Sequence, residues 1–306
     1  YLKQRYTLNE FRNRQNWVLL NKIEKTIKEK IEKNCKYLKD LNISINYGIK
    51  TGYNDAFIID ETTKNILIES DPKSAELIRP ILRGKDIKRY AYDFANLWLI
   101  YIPWHFPLQN DPNIKGASIE AERAFECEYP AIYNYLKTHK EKLSNRNKAE
   151  TGKRYEWYAL QRWGANYSDD FNKQKIIYPN MTKYLPFYLD ENQFYTNQKC
   201  FIITGENLGY LTAFLNSKLF KFCYRESFPQ LQGGTRELSK IFFEKISVKE
   251  IDTETNLLFE RKVRKLQLLK RNHEPSEKLE NEIENLILDL YDLTEKEKDL
   301  IRSFSI

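Results

Sequence analysis

Gly48-Ile49-Lys50-Thr51-Gly52-Tyr53-Asn54-Asp55-Ala56-Phe57 places two glycines, a lysine and short polar side chains directly after a stretch of period-two alternation, Ile43-Ser44-Ile45-Asn46-Tyr47. The alternation reads as a strand and the glycines as its break, since glycine takes positive φ and lets backbones approach closely. A second stretch, Leu82-Arg83-Gly84-Lys85-Asp86-Ile87-Lys88-Arg89-Tyr90, repeats the arrangement of glycine, cation and short polar residue. In a basic chain such turns suit contact with a polyanion, and a tight hairpin accounts equally well for either motif alone.

Working outward, Asn16 to Lys39 carries Val18, Leu19, Ile23, Ile27, Ile31 and Leu38 at helical spacing, with lysines opposite. After Ile43–Tyr47, the runs Ala56–Asp60 and Asn65–Ile68 read as further short strands, and Asp71-Pro72 opens a short helix to Leu77. Strands are expected at Trp98–Ile102, Lys175–Tyr178, Pro186–Leu189 and Cys200–Ile203. Helices are expected from Tyr129-Pro130 towards Leu143 and from Leu208 to Tyr224, with the loop Ser144–Lys153 between strand and helix groups. Glu254–Arg271 and Pro275–Tyr291 form a helical hairpin, and Thr294 caps one last helix. The expected fold class is α+β: a mixed short-strand body over 41–250, an N-terminal helix in 1–40 and a C-terminal helical hairpin in 251–306.

The chain has 306 residues, 41% of them hydrophobic and 14% aromatic, enough for a sizeable core. Its charge is uneven. Residues 1–40 hold eleven Lys/Arg against five Asp/Glu, and 274–300 hold three against ten, within a net charge of +7. A basic body with an acidic tail favours a nucleic-acid partner. No apolar run is long enough to span a membrane and no signal peptide is evident. The chain starts at Tyr1 and its single methionine is Met181, which reads as a piece of a longer protein. Four scattered cysteines follow no metal-ligand spacing and read as reduced thiols of a cytoplasmic protein.

Known catalytic signatures are missing: no GxSxG, P-loop or GxGxxG occurs, and the three histidines are scattered. One pattern has nuclease spacing. Asp60 precedes Asp71-Pro72-Lys73 by eleven residues, and two carboxylates on Mg²⁺ with a nearby lysine would cut a phosphodiester. Asp71-Pro72, however, looks like a helix start, so neither a catalytic nor a metal-ligating residue is expected. A metal-dependent nuclease remains the enzymatic alternative, and a protein-interaction scaffold built on the helical ends is a third.

Several stretches in order resemble the TaqI-like C-terminal specificity domains, the target-recognition regions of type II and IIG restriction-modification enzymes and DNA adenine methyltransferases of the Eco57I type. They are Ile45–Asp60, Ile78–Tyr90, Tyr129–Leu136, Leu143–Arg146, Leu208–Leu219 with Asn216-Ser217-Lys218-Leu219, Gln232–Lys240 and the region Leu286–Lys298. The resemblance covers the chain from about residue 20 and rests on order and spacing rather than on one motif. It implies sequence-specific binding of double-stranded DNA by a chain that is itself non-catalytic. A methyltransferase core of the same parent chain would precede it, binding S-adenosylmethionine and flipping the target adenine, with Mg²⁺ needed where the parent also cuts. The glycine-rich cofactor loop and the Asn-Pro-Pro-aromatic motif of that core are not in this sequence.

Candidate DNA contacts follow. Lys50, Thr51 and Asn54 offer phosphate or base-edge groups, and Lys85, Lys88 and Arg89 suit phosphates. Gln161 and Arg162, in Trp157–Trp163, match the bidentate chemistry of adenine and guanine. Arg225 and Gln232-Gly233-Gly234-Thr235-Arg236 complete the set, the glycine pair being expected to lead into a Thr-capped helix whose free N–H groups hold a phosphate. For each of these the bland alternative is a turn, a cap or core packing.

Overall fold

The computed structural model describes residues 22–33 and 35–304. Val18 and Leu19, and most of the proposed 1–40 segment, lie outside them. Four antiparallel strands form the central sheet in the order Tyr188–Asp190, Lys175–Pro179, Cys200–Gly205, Ile43–Tyr47, with Ile202 opposite both Ile177 and Asn46. A second sheet has the order Tyr195–Thr196, Ile78–Leu82, Leu97–Ile100, Ile58–Asp60, its first pair parallel and the rest antiparallel.

The central sheet is a wall between two cores, and strand alternation builds it. Successive side chains point to opposite faces. Ile176, Tyr178, Phe201 and Ile203 therefore join one cluster with the helices, beside Phe214, Phe243, Phe259 and Ile283. Ile177, Cys200 and Ile202 join the other, beside Phe57, Leu99, Phe125, Tyr158 and Phe171. Both central strands read as continuous apolar runs because both faces are covered.

The helical ends pack into the first cluster. Thr253–Arg271 crosses Leu208–Asn216 so closely that a methyl on Gly209 would lie 2.5 Å from Glu260 Cβ. Glu277–Asp289 returns along it, and Glu295–Ser303 begins with a capping box between Thr294 and Glu297. At the other end Lys22–Glu32 buries Ile27 and Ile31.

Local readings fail where caps overrule alternation. The N-terminal helix ends at Glu32, and Cys35–Tyr37 is a short strand paired with Ser247–Lys249. Residues 65–68, expected as a strand, belong to the helix Glu61–Ser70. Asp60 accepts from Thr63 N at 2.8 Å and nucleates that helix, which turns Leu67 inward and leaves Ile66 exposed. Asn54–Phe57 is likewise helical, so only Ile58–Asp60 of that run is strand. The same caps dispose of the nuclease spacing. Asp60 caps one helix, and Asp71 caps Pro72–Leu77 through Lys73 N at 3.1 Å. Lys73 itself pairs with Glu128 at 2.9 Å.

Candidate nucleic-acid interface

The turn Arg83–Tyr90 owes its shape to one carboxylate. Asp86, 4% exposed, accepts from Arg83 N at 2.8 Å, Arg83 Nε at 2.9 Å and Arg83 Nη2 at 2.9 Å. Those bonds hold the guanidinium charged and fold Arg83 onto its own turn. Lys85 and Lys88 are thereby left exposed, Lys88 lying 3.3 Å from Asp93 and donating to Lys85 O. Arg89 donates to Asn216 O at 3.1 Å and pairs with Glu280 of the C-terminal hairpin.

Opposite this turn runs Met181–Thr182, which pairs with Arg236–Glu237. Between the two lies a cleft of about 800 Å³ lined by Arg83, Lys85, Lys88, Arg89, Lys199 and Lys221 together with Met181, Tyr184 and Asn197. Among the described residues no Asp or Glu lines it. Met181 and Tyr184 are exposed at its edge, and Lys183 sits 5.8 Å from the Tyr184 ring centre. Such a cleft concentrates positive potential and offers an aromatic face, the combination that holds a phosphate backbone beside unpaired or exposed bases.

Backbone pairing ties the other candidate segments to this cleft. Gly48 N donates to Cys200 O at 3.0 Å and Ile49 N to Thr196 O at 2.7 Å, so the first loop lies along the Thr196–Cys200 turn that carries Asn197 and Lys199. A methyl on Gly48 would meet Asn197 O at 2.0 Å, which explains why glycine stands there. Lys50 and Arg162 exchange both backbone bonds, at 3.0 and 2.9 Å. Arg162 is exposed and forks onto Glu150 at 3.0 and 3.1 Å.

Other candidates turn inward. Thr51 is buried and donates to Asn54 Oδ1 at 2.7 Å, so both shape the loop, although Asn54 keeps an exposed side. Gln161 is 8% exposed and packs under Gly52. Beneath the same loop Arg146 donates to Thr51 O at 2.6 Å, to Trp157 O at 3.2 Å and to Ala159 O. Burial lowers its pKa to about 10, which still leaves it charged at neutral pH.

The Gln232–Arg236 segment corrects an expectation. No helix starts at Thr235. Gln230 pairs with Arg236, and Leu231 N donates to Thr235 O at 2.7 Å, closing a hairpin with Gly233 (φ 72°) and Gly234 (φ 77°) at its exposed tip. Two successive left-handed residues reverse the chain there, and the first helix after them begins beyond Ser239. Arg236 is 4% exposed and donates to Phe228 O at 3.1 Å, so it braces the hairpin from within. Arg225 follows the helix Lys218–Tyr224 and is half-buried.

Residues the sequence left unmarked complete the cleft. Lys183-Tyr184 and Asn197-Gln198-Lys199 carry a faint signal, a cation in a polar turn between strands. Lys221 carries none, since it stands in the apolar run Leu219-Phe220-Lys221-Phe222.

A family model of the TaqI-like C-terminal specificity domain matches residues 79–248, more than half of the chain and all of the cleft-forming segments. The chain is 24% identical over 257 residues to the type II methyltransferase M.MjaIV of Methanocaldococcus jannaschii, covering 82% of this chain and 79% of that protein. To the type II methyltransferase M.BstVI of Geobacillus stearothermophilus it is 20% identical over 302 residues, covering 97% and 48%. Among solved structures, the type IIL restriction-modification enzyme MmeI in complex with DNA shares the fold at a TM-score of 0.53 and 13% identity, over 89% of this chain and 34% of that one. The chain thus spans about half the length of M.BstVI and a third of MmeI.

Proposed function

Because the chain belongs to the TaqI-like C-terminal specificity domains, we propose that it holds double-stranded DNA in the basic cleft and that the segments around the cleft choose the sequence. Six cations lining one cleft with no Asp or Glu among the described residues are the observation that carries this. Lys85, Lys88 and Lys199 project from turns and take phosphates, giving affinity without sequence information. We assign base-edge reading to Arg162, Lys50 and Asn54, on segments linked to the Thr196–Cys200 turn, and to Gln232–Thr235, on the hairpin that leads into the strand paired with Met181–Thr182. Arg89 supports the cleft wall and Arg225 adds positive charge at the end of the helix that carries Lys221, while Thr51, Gln161 and Arg236 act from within, by shaping the loops.

On this reading 41–250 recognises DNA, and the helical ends, 1–40 and 251–306, face the rest of a restriction-modification enzyme. Methyl transfer to adenine from S-adenosylmethionine, and cutting where the parent has it, belong to that remainder. Among the described residues, no helix is long and apolar enough to cross a membrane.

Salt tests the reading. With about four phosphate contacts, log K should fall with log salt at a slope of about −4, a loss of about 10²-fold between 50 and 200 mM. Replacing Lys85, Lys88 and Lys199 together by alanine should flatten that slope by about 3 units. Duplex binding indifferent to salt, or a triple variant with the parental slope, would overturn the assignment of the cleft.

A further inference from the structure

The helix Lys218–Tyr224 buries Leu219, Phe220 and Tyr224, yet turns one cation, Lys221, to the cleft floor. The other cleft cations near it are already engaged. Arg83 is spent on Asp86, Lys88 lies beside Asp93, and Arg89 is on Glu280. Among the described residues the Lys221 ammonium makes no hydrogen bond and no ion pair, although most of the residue is buried.

The carboxylates behind it are committed elsewhere. Glu280 is shared between Arg89 and Lys270, the latter at 2.5 Å. Glu284 accepts the backbone N–H of Lys218 at 2.9 and 3.0 Å. The floor therefore keeps one ammonium that no carboxylate touches, Glu284 and Glu280 acting on it only from a distance. A half-buried ammonium without a contacting counter-charge is costly, and an anion from outside lowers that cost.

We propose that Lys221 clamps one phosphodiester of the bound DNA at the cleft floor, next to the Arg89–Glu280 pair, and that Glu280 and Glu284 of the acidic helix hold this clamp in position from behind. The inference rests on the reading that the cleft holds DNA, and it gives the acidic hairpin a positioning role in binding.

A titration signature accompanies the geometry. Burial, helped by the neighbouring Arg89 charge, lowers the Lys221 pKa to about 8, against the opposing pull of Glu284 and Glu280. The cleft side adds only Arg83, Lys85, Lys88 and Lys199. Lys28 and Glu32 of the N-terminal helix face Cys223, elsewhere on the same helix, and Arg302 meets Lys218 through its carbonyl. A phosphate raises the pKa of its ammonium partner, so binding takes up a proton once the free group has begun to lose its own. Affinity is then full below pH 8 and falls above it.

The experiment compares the full chain with Lys221→Met and Lys221→Arg for binding to one duplex at several salt concentrations and at pH 7 and 9. Methionine conserves volume and removes the buried charge, so this variant should melt no lower than the parent. Lys221→Met should lose about tenfold in affinity and about one unit of salt slope, equally for all sequences. The parent should lose up to about tenfold between pH 7 and 9, whereas Lys221→Arg should bind well and show no such loss. Parental affinity and slope in Lys221→Met, with the parent still binding duplex, would overturn the clamp and leave the cleft assignment standing. No duplex binding by the parent would overturn both. Inorganic phosphate at matched ionic strength provides the last arm. If it binds in a Lys221-dependent way while duplex affinity is untouched by Lys221→Met, the floor belongs to a free phosphate and the proposal fails.

Discussion

Asp190→Asn removes the negative half of an ion pair that water does not reach. Asp190 Oδ2 lies 2.7 Å from Lys175 Nζ, and both side chains are 0% exposed. The pair stands opposite in register on adjacent strands of the central sheet. Lys175 also donates to Phe171 O at 2.6 Å, and Asp190 accepts from Asn192 N at 3.0 Å and Phe194 N at 2.9 Å. Burial pushes the ammonium pKa down and the carboxyl pKa up, and each charge persists because the other is there. The amide keeps one acceptor for the turn N–H groups but leaves the ammonium without a counter-charge. Breaking such a pair costs about 3–5 kcal/mol. At about 2.1 cal/mol/K of unfolding entropy per residue, a chain of this length should melt about 5–8 °C lower. Calorimetry and urea denaturation measure the difference. Raising salt from 0.05 to 0.5 M should leave it unchanged, since screening does not reach a dry pair. Adding Lys175→Met to Asp190→Asn should recover part of the loss. A single variant within about 1 kcal/mol of the parent would refute the assignment of an enclosed charge pair.

Gly48→Ala should destabilise the chain by about 3 kcal/mol, because the new methyl meets backbone on the Thr196–Cys200 turn. Thermal melts read the stability, and the same variant should weaken DNA binding by displacing Lys199. Unchanged melting and binding would show that the two loops are not locked together. Arg162→Ala removes an exposed pair with Glu150 and should change stability by less than about 1 kcal/mol. If Arg162 reads a base, that variant should lose about 1–3 kcal/mol of discrimination at one base pair, scored by binding to a duplex library. A parental specificity profile would remove Arg162 from the readers.

Much of the fold was legible where one local rule acted alone. The apolar runs at 175–178 and 200–203 read as strands and are strands, and the Asp71-Pro72 and Thr294 starts carried their own caps. Reading failed where two rules competed. Ile66-Leu67-Ile68 has strand-like composition, yet the upstream cap at Asp60 made it helix. Gly233-Gly234 looked like the start of a helix, and the pairing of Arg236 with Thr182 across the fold made it a hairpin tip instead.

For the site, the sequence by itself determined the kinds of residue and the order of the segments: glycine turns bearing cations, a basic body, an acidic end, and enough ordered motifs to point to a specificity domain. Those are properties of neighbours along the chain. Only the tertiary structure decided which cations share a surface. Asp86 folds Arg83 away, Glu280 takes Arg89, and Gln161 and Arg236 go inside. Lys199 and Lys221, unremarkable in sequence, come to the same cleft as Lys85. The physical reason is that a side chain's charge counts at the surface only after its partners are assigned, and those partners lie up to 191 residues away, as Glu280 does from Arg89.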